Sequence, residues 1–103
     1  MKKTETDIQA EIRVALCKLG CKVFRTNSGI FYTADGRPTR IGVVGQSDLQ
    51  GHRPDGRAFY IEVKADNGKP STEQLKFIAE MKRSGAIAGV AWSVDDAIRI
   101  ITE

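Results

Sequence analysis

The chain has one histidine, His52, and that scarcity excludes a multi-histidine metal site or a paired-histidine catalytic centre. His52 itself reads as a loop residue. Cysteine is nearly as rare: Cys17 and Cys21 fall one helical turn apart, about the end of a predicted helix. At that spacing they make neither a zinc site without further ligands nor a useful covalent staple, so reduced, partly buried thiols are expected. Long apolar runs are missing. The apolar runs are a few residues each, as in Ile30-Phe31-Tyr32, far too short to cross a bilayer. No apolar stretch follows the charged start Met1-Lys2-Lys3-Thr4-Glu5-Thr6-Asp7, so a secretory leader is not expected and the cytoplasm is the default location. Charge of one sign is barely in excess, with 16 Lys and Arg against 13 Asp and Glu and a formal net charge of +3. That balance permits a polyanionic partner without requiring one.

What is present is an ordinary globular mixture, 41% hydrophobic and 28% charged. The 103 residues suffice for one domain, 1–103, with one core. Thr4 to Asp7 has the form of a capping box, and Ile8, Ile12, Leu16 and Leu19 then recur at helical spacing, with Ala15 on the same side, up to a terminating Gly20. Residues 21–26 read as a strand, and Asn27-Ser28-Gly29 as a turn. Residues 30–33 and 39–43 read as the two arms of a hairpin across Asp35-Gly36. A glycine-bounded stretch from Gly45 to Gly51 predicts a short strand that starts at a bend. A second hairpin signal, Pro54-Asp55-Gly56, leads into the strongest strand, Arg57 to Lys64, with Phe59, Ile61 and Val63 on one face. After a polar loop, Ser71 can cap a second helix carrying Leu75, Ile78, Ala79 and Met81 up to Gly85. Residues 87–92 form another strand. Ser93-Val94-Asp95-Asp96 can cap a short helix through Ile98, or a turn into a last strand at Ile100 and Ile101. The order predicts one α/β domain with a mixed sheet.

The chemistry lies in the middle of the chain. Residues two apart on a strand point the same way, so Glu62 and Lys64 project side by side. If the hairpin pairs the two strands, Asp48 reaches the same spot. Two carboxylates and an ammonium suit phosphodiester hydrolysis. Hard carboxylate oxygens hold Mg²⁺ or Mn²⁺, the ion lowers the pKa of a bound water, and an amine orients that water or offsets developing charge. Glu-x-Lys on a solvent-facing strand is ordinarily an exposed ion pair worth little. Here the run Tyr60-Ile61-Glu62-Val63-Lys64 is otherwise of buried type, and charges in such a strand need a reason.

Asp48 followed by Glu62-Val63-Lys64 resembles the PD-(D/E)xK nuclease signature. More narrowly, the chain resembles the VRR-NUC family of virus-type replication-repair nucleases in its small stand-alone phage and bacterial form. The match is carried by Thr4 to Gln9, Phe24-Arg25-Thr26-Asn27-Ser28-Gly29, Gly42 to Leu49, Tyr60 to Lys64, and Gly68 to Gln74. The resemblance implies a restriction-endonuclease-like α/β fold, a central mixed β-sheet flanked by helices. It implies that Asp48, Glu62 and the Val63 backbone carbonyl hold Mg²⁺ or Mn²⁺, that Lys64 positions water, and that a glutamate of the first helix completes the site. It also implies a DNA substrate, with the stand-alone members resembling dimeric Holliday-junction resolvases in phage or bacterial cytoplasm.

Two glutamates compete for the helical place. At ~100° per residue Glu5 falls within the apolar stripe and Glu11 about a quarter turn from it, so Glu5 is favoured as facing the sheet. A first-turn carboxylate is also stabilised by the helix dipole without any catalysis. Gln9, one turn on, could share a hydrogen bond with the site. Gln74 is either a site residue or the reciprocal half of a capping box with Ser71. Gly45 and Ser47 shape the bend that aims Asp48, which plain turn chemistry explains almost as well. Arg25, Asn27, Arg40 and Lys69 are candidate DNA contacts, as are Lys2, Lys3 and Arg37, although scattered surface cations usually serve solubility alone. Tyr32 is either a base-stacking platform or core. No segment resembles a recognition helix, so shape reading of branched DNA (junction, fork or flap) is the expected mode. A homodimer would match the two-fold symmetry of a four-way junction, with the hairpin around Ile30-Phe31-Tyr32 as interface or as core. The competing expectations are a non-catalytic nucleic-acid-binding accessory module, or a nuclease of the same fold acting on linear or single-stranded DNA.

Overall fold

In the computed structural model, which describes residues 2–26, 29–41 and 45–103, Thr4 begins the first helix as its sequence predicts. Its hydroxyl accepts from the Asp7 amide at 3.1 Å, and the Asp7 carboxylate accepts from the Thr4 amide at 3.0 Å. Helix α1 spans Glu5–Lys18 and buries Ile8, Ile12 and Leu16. It ends where Gly20 takes a left-handed φ of 88°. The Gly20 and Cys21 amides then return to the carbonyls of Cys17 and Leu16, which satisfies the last turn. Leu19, expected on the buried stripe, instead becomes the C-cap and is exposed. The stripe stops where the chain turns outward.

Strands β1 (Lys22–Arg25), β4 (Leu49–His52), β5 (Ala58–Val63) and β6 (Ile87–Ala91) form one sheet in the order β1-β4-β5-β6. The first two pairings are antiparallel and β5–β6 is parallel, so the sheet is mixed as expected. The turn at Pro54-Asp55-Gly56 is closed by Arg53 and Arg57, whose main chains bond at 3.0 Å. His52, read as a loop residue, is the exposed last residue of β4. Strands β2 (Gly29–Tyr32) and β3 (Pro38–Ile41) pair as the predicted hairpin, but as a separate two-stranded ribbon. Residues 42 and 43 of that prediction, and the 27–28 part of the turn before it, lie outside the described residues.

A parallel pair needs a crossover, and helix α2 (Thr72–Arg83) supplies it between β5 and β6. Ser71 caps it in a reciprocal box with Gln74. Gly85 and Ala86 close its far end on the carbonyls of Lys82 and Met81. Leu75 and Ala79 of this helix are exposed, against expectation; Ile78 is its buried residue. The last element is helix α3 (Val94–Thr102), not a strand at Ile100 and Ile101. Ser93 accepts from the Asp96 amide, and the helix continues because Ala97 and Ile101, one turn apart, both bury.

Alternation along β5 divides the molecule into layers. Phe59, Ile61 and Val63 join Ile8, Ile12, Leu16, Leu49, Ala97 and Ile101 in the core under α1 and α3. On the opposite face Tyr60 meets Phe77 of α2 edge-on, ring centroids 5.5 Å apart. Glu62 therefore projects towards α2.

Candidate active site

The site is built by strand register. Leu49 pairs with Ile61, so one step further Asp48 stands opposite Glu62. On its other side the Thr26 amide donates to the Asp48 carbonyl at 2.8 Å. The row Thr26, Asp48, Glu62 thus crosses three adjacent segments, and facing residues of antiparallel strands share a face of the sheet. Beyond Leu49 the chain bends, and the amide of Val63 finds no strand carbonyl. It donates instead to Asp48 Oδ2 at 2.9 Å. That bond fixes the Asp48 carboxylate at the strand end, beside Glu62.

Glu62 is 1% exposed. Its Oε2 accepts from Gln74 Nε2 at 2.7 Å and lies 3.3 Å from Lys64 Nζ. Its Oε1 is buried without a partner among the described residues. Burial, and then the negative charge of Asp48, push the Glu62 carboxyl up to about 7, against the pull of Lys64. Two carboxylates that face one another, one of them buried, disfavour joint ionisation. A cation between them removes the conflict, and an unpartnered carboxylate oxygen is the donor that a hard divalent ion takes. The residues present therefore fit Mg²⁺ or Mn²⁺, which binds through one or two carboxylates and keeps several waters.

Gln74 serves both roles open to it from the sequence. Its Oε1 accepts from the Ser71 amide at 2.8 Å, completing the helix cap, while its amide nitrogen holds Glu62. The bend carrying Asp48 lies on the same helix start. Gly45 has φ +79°, and a Cβ there would sit 2.3 Å from the Glu73 carbonyl oxygen and 3.1 Å from the Gln74 nitrogen. Only glycine allows this approach. Ser47 is buried, and its hydroxyl has no described partner.

The glutamate expected from α1 does not join this group. Glu5 is exposed on the first helical turn, and no cluster of three acidic, histidine or cysteine side chains capable of holding a metal occurs among the described residues. The apolar stripe of α1 packs on the Phe59 face of the sheet, Glu62 points to the α2 face, and Glu5 stands exposed where α1 begins. Glu11 is paired with Lys3 at 2.9 Å, and Gln9 is half-buried one turn beyond Glu5. Lys2 is paired with Asp66 and Arg37 with Asp35, each at 3.0 Å. Arg25 and Lys69 are exposed. Asn27 and the side chain of Arg40 lie outside what is described. Tyr32 is 73% exposed, which removes the core alternative for it; the side chains of Ile30 and Phe31 are not described. A cleft of about 420 Å³ between the starts of α1 and α3 contains neither Asp48 nor Glu62. Its Lys2 and Lys3 already pair with Asp66 and Glu11, and the two-carboxylate group lies apart from it.

The raised pKa makes a prediction with a definite sign. A carboxyl whose folded pKa lies above its unfolded value contributes stability present in full below the unfolded value and lost as pH rises through the folded one. For Glu62 the window runs from about 4.5 to about 7. The melting temperature of the metal-free protein is therefore expected to fall between pH 5 and pH 8, and saturating Mn²⁺ to restore it at the upper end. Calorimetric melting with and without Mn²⁺ checks this; a flat profile in that window would contradict the burial argument.

The VRR-NUC domain family model matches residues 32–95, more than half of the chain and all of the Asp48, Glu62 and Lys64 constellation. A solved structure described as a VRR-NUC domain is 24% identical, covers 98% of this chain and 98% of its own, and superposes with a TM-score of 0.69. At that identity it speaks for the fold, which is of the PD-(D/E)xK type. No curated protein matches the chain.

Proposed function

This chain belongs to the VRR-NUC family of nucleases, and we propose that it is a Mg²⁺- or Mn²⁺-dependent endodeoxyribonuclease that cuts branched DNA, working as a homodimer. The observation that carries the metal requirement is Glu62 Oε1, a buried carboxylate oxygen with no described partner, facing a second carboxylate. Asp48, Glu62 and the Val63 carbonyl are the proposed ligands. Glu5, which makes no described bond of its own, remains the proposed further carboxylate from α1. When bound, the ion activates a water and offsets charge on the phosphoryl oxygens.

The chain's own residues do the rest. Lys64 Nζ stays beside Glu62 Oε2, where it can orient the attacking water or neutralise the phosphorane-like charge. Gln74 keeps that same oxygen occupied, so the other, buried oxygen of Glu62 is the one left for a cation. The Val63 amide prevents Asp48 from rotating away. Arg25, Asn27, Arg40 and Lys69 are proposed phosphate contacts, and exposed Tyr32 a stacking surface for an unpaired base. Branched DNA is favoured because no described helix is arranged as a groove reader, and a two-fold junction suits a two-fold enzyme.

The test compares substrates. Four-way junction, fork, flap and linear duplexes are incubated with Mg²⁺, Mn²⁺ or neither. Metal-dependent cutting of the branched set at least tenfold faster than of the linear duplex is the expected result. Equal cutting of all would sink the branch preference, and no cutting with either ion would favour the accessory-module reading.

A further inference from the structure

Three buried side-chain oxygens lack a partner among the described residues, Thr26 Oγ1, Ser47 Oγ and Glu62 Oε1, and all three border on Asp48. Ser47 precedes it in the chain, Thr26 bonds to its carbonyl through the backbone, and Glu62 faces it in register. Buried polar groups are paired almost everywhere in folded proteins, so unpartnered ones gathered about a single carboxylate call for a common cause. The carboxylate of Glu62 is accounted for by the cation reading. The hydroxyl of Thr26 is not.

We infer that Thr26 is a positioning residue of the active site, its hydroxyl holding Asp48 and the water beside it when the cation is bound. This rests on the proposed metal-dependent nuclease reading. A directly bonded antiparallel pair carries its two side chains on one face, Cα atoms roughly 5.5 Å apart, so the buried Thr26 hydroxyl stands on the same face of the sheet as the Asp48 carboxylate. Asp48 Oδ2 is committed to Val63, which leaves Oδ1 for a cation. A hydroxyl both donates and accepts, whereas the surrounding carboxylates accept only. Thr26 therefore supplies the donor that the two-carboxylate group lacks on its β1 side, as Lys64 and Gln74 do on the α2 side. Groups that hold a metal ligand in place in this way typically change affinity 10- to 100-fold when removed.

The test uses Thr26→Val, which keeps the shape and removes the hydroxyl, and Thr26→Ser, which keeps the hydroxyl. Mn²⁺ is titrated calorimetrically into the full chain, and melting is followed without metal. Thr26→Val is expected to weaken Mn²⁺ about tenfold while melting no lower than the parent protein, and Thr26→Ser to bind within about twofold of the parent. With branched DNA, Thr26→Val should lower kcat and leave KM unchanged. A hydroxyl needed only for packing would lower the melting temperature and leave Mn²⁺ affinity alone, and that result overturns the inference, as does failure of Thr26→Ser to bind. If the parent protein itself takes up no Mn²⁺, the metal-dependent reading falls and this inference with it. If the parent binds Mn²⁺ and Thr26→Val binds it equally well, only the inference falls.

Discussion

Glu62→Gln is expected to abolish metal-dependent cleavage, by about a thousandfold or more, and at the same time to raise the melting temperature of the metal-free protein near pH 8. Both effects have one origin. The buried carboxyl is held up to about 7 by desolvation and by Asp48, so near pH 8 the folded chain carries a charge it would prefer to shed. The raised pKa is electrostatic strain relative to the unfolded chain, where the same carboxyl ionises without opposition. Glutamine removes the charge and keeps the shape. Its oxygen can still accept from Gln74 and Lys64, and its nitrogen can donate to Asp48. In a domain this small, relief of such strain is expected to raise the melting temperature by several degrees. Cleavage assays with Mg²⁺ and Mn²⁺, beside melting curves at pH 5 and pH 8, read both halves. Persistent cutting would remove Glu62 from the site. Equal melting of variant and parent near pH 8 would show that the carboxyl is not under the electrostatic load described. Lys64→Ala should also silence cutting, without the stabilisation.

The second large effect comes from Gly45. Alanine there would place a methyl carbon 2.3 Å from the carbonyl oxygen of Glu73, at a backbone φ of +79° that a side chain rarely adopts. Neither neighbour is a flexible side-chain tip; both are main chain of the first turn of α2. The bend must move, and Asp48 moves with it. Gly45→Ala is expected to cost several kcal/mol and to lower cleavage further than instability accounts for, because Asp48 would lose its bond from the Val63 amide. Denaturant unfolding, together with cleavage measured well below the melting transition, separates the two losses. Parent-like stability would contradict the close approach.

Much of this architecture was legible in the sequence because it rests on local rules. The capping boxes at Thr4 and Ser71, the glycine stops at Gly20 and Gly85, and the two-residue period of β5 all follow from neighbours a few positions apart. The side-by-side placement of Glu62 and Lys64 follows from the same period, and Asp48 opposite them needs only the hairpin's register. The misreadings occurred where tertiary packing decides. Periodicity gives the direction of Leu19 and Leu75 around a helix, but not where the sheet beneath ends. The isoleucines at positions 98, 100 and 101 suit strand or helix equally, until Ala97 and Ile101 find the core under α1. A helical wheel places Glu5 on the apolar side of α1 but does not say whether a first-turn side chain reaches the sheet, and in the structure Glu5 is exposed. Thr26 and Ser47 both fall in segments that carry the family resemblance, but nothing local in the sequence shows that their hydroxyls are buried without a partner.

Gln74 carries a last consequence. The side chain that closes the opening turn of α2 is also the one that steadies Glu62, so the two functions cannot fail separately. Helix ends fray at free energies far below those that open a whole domain. On warming, the acid would thus lose its orientation while the core of Ile12, Leu16 and Phe59 is still intact. Glu62 is therefore expected to lose the hold of Gln74 at a temperature below the one at which the fold itself gives way.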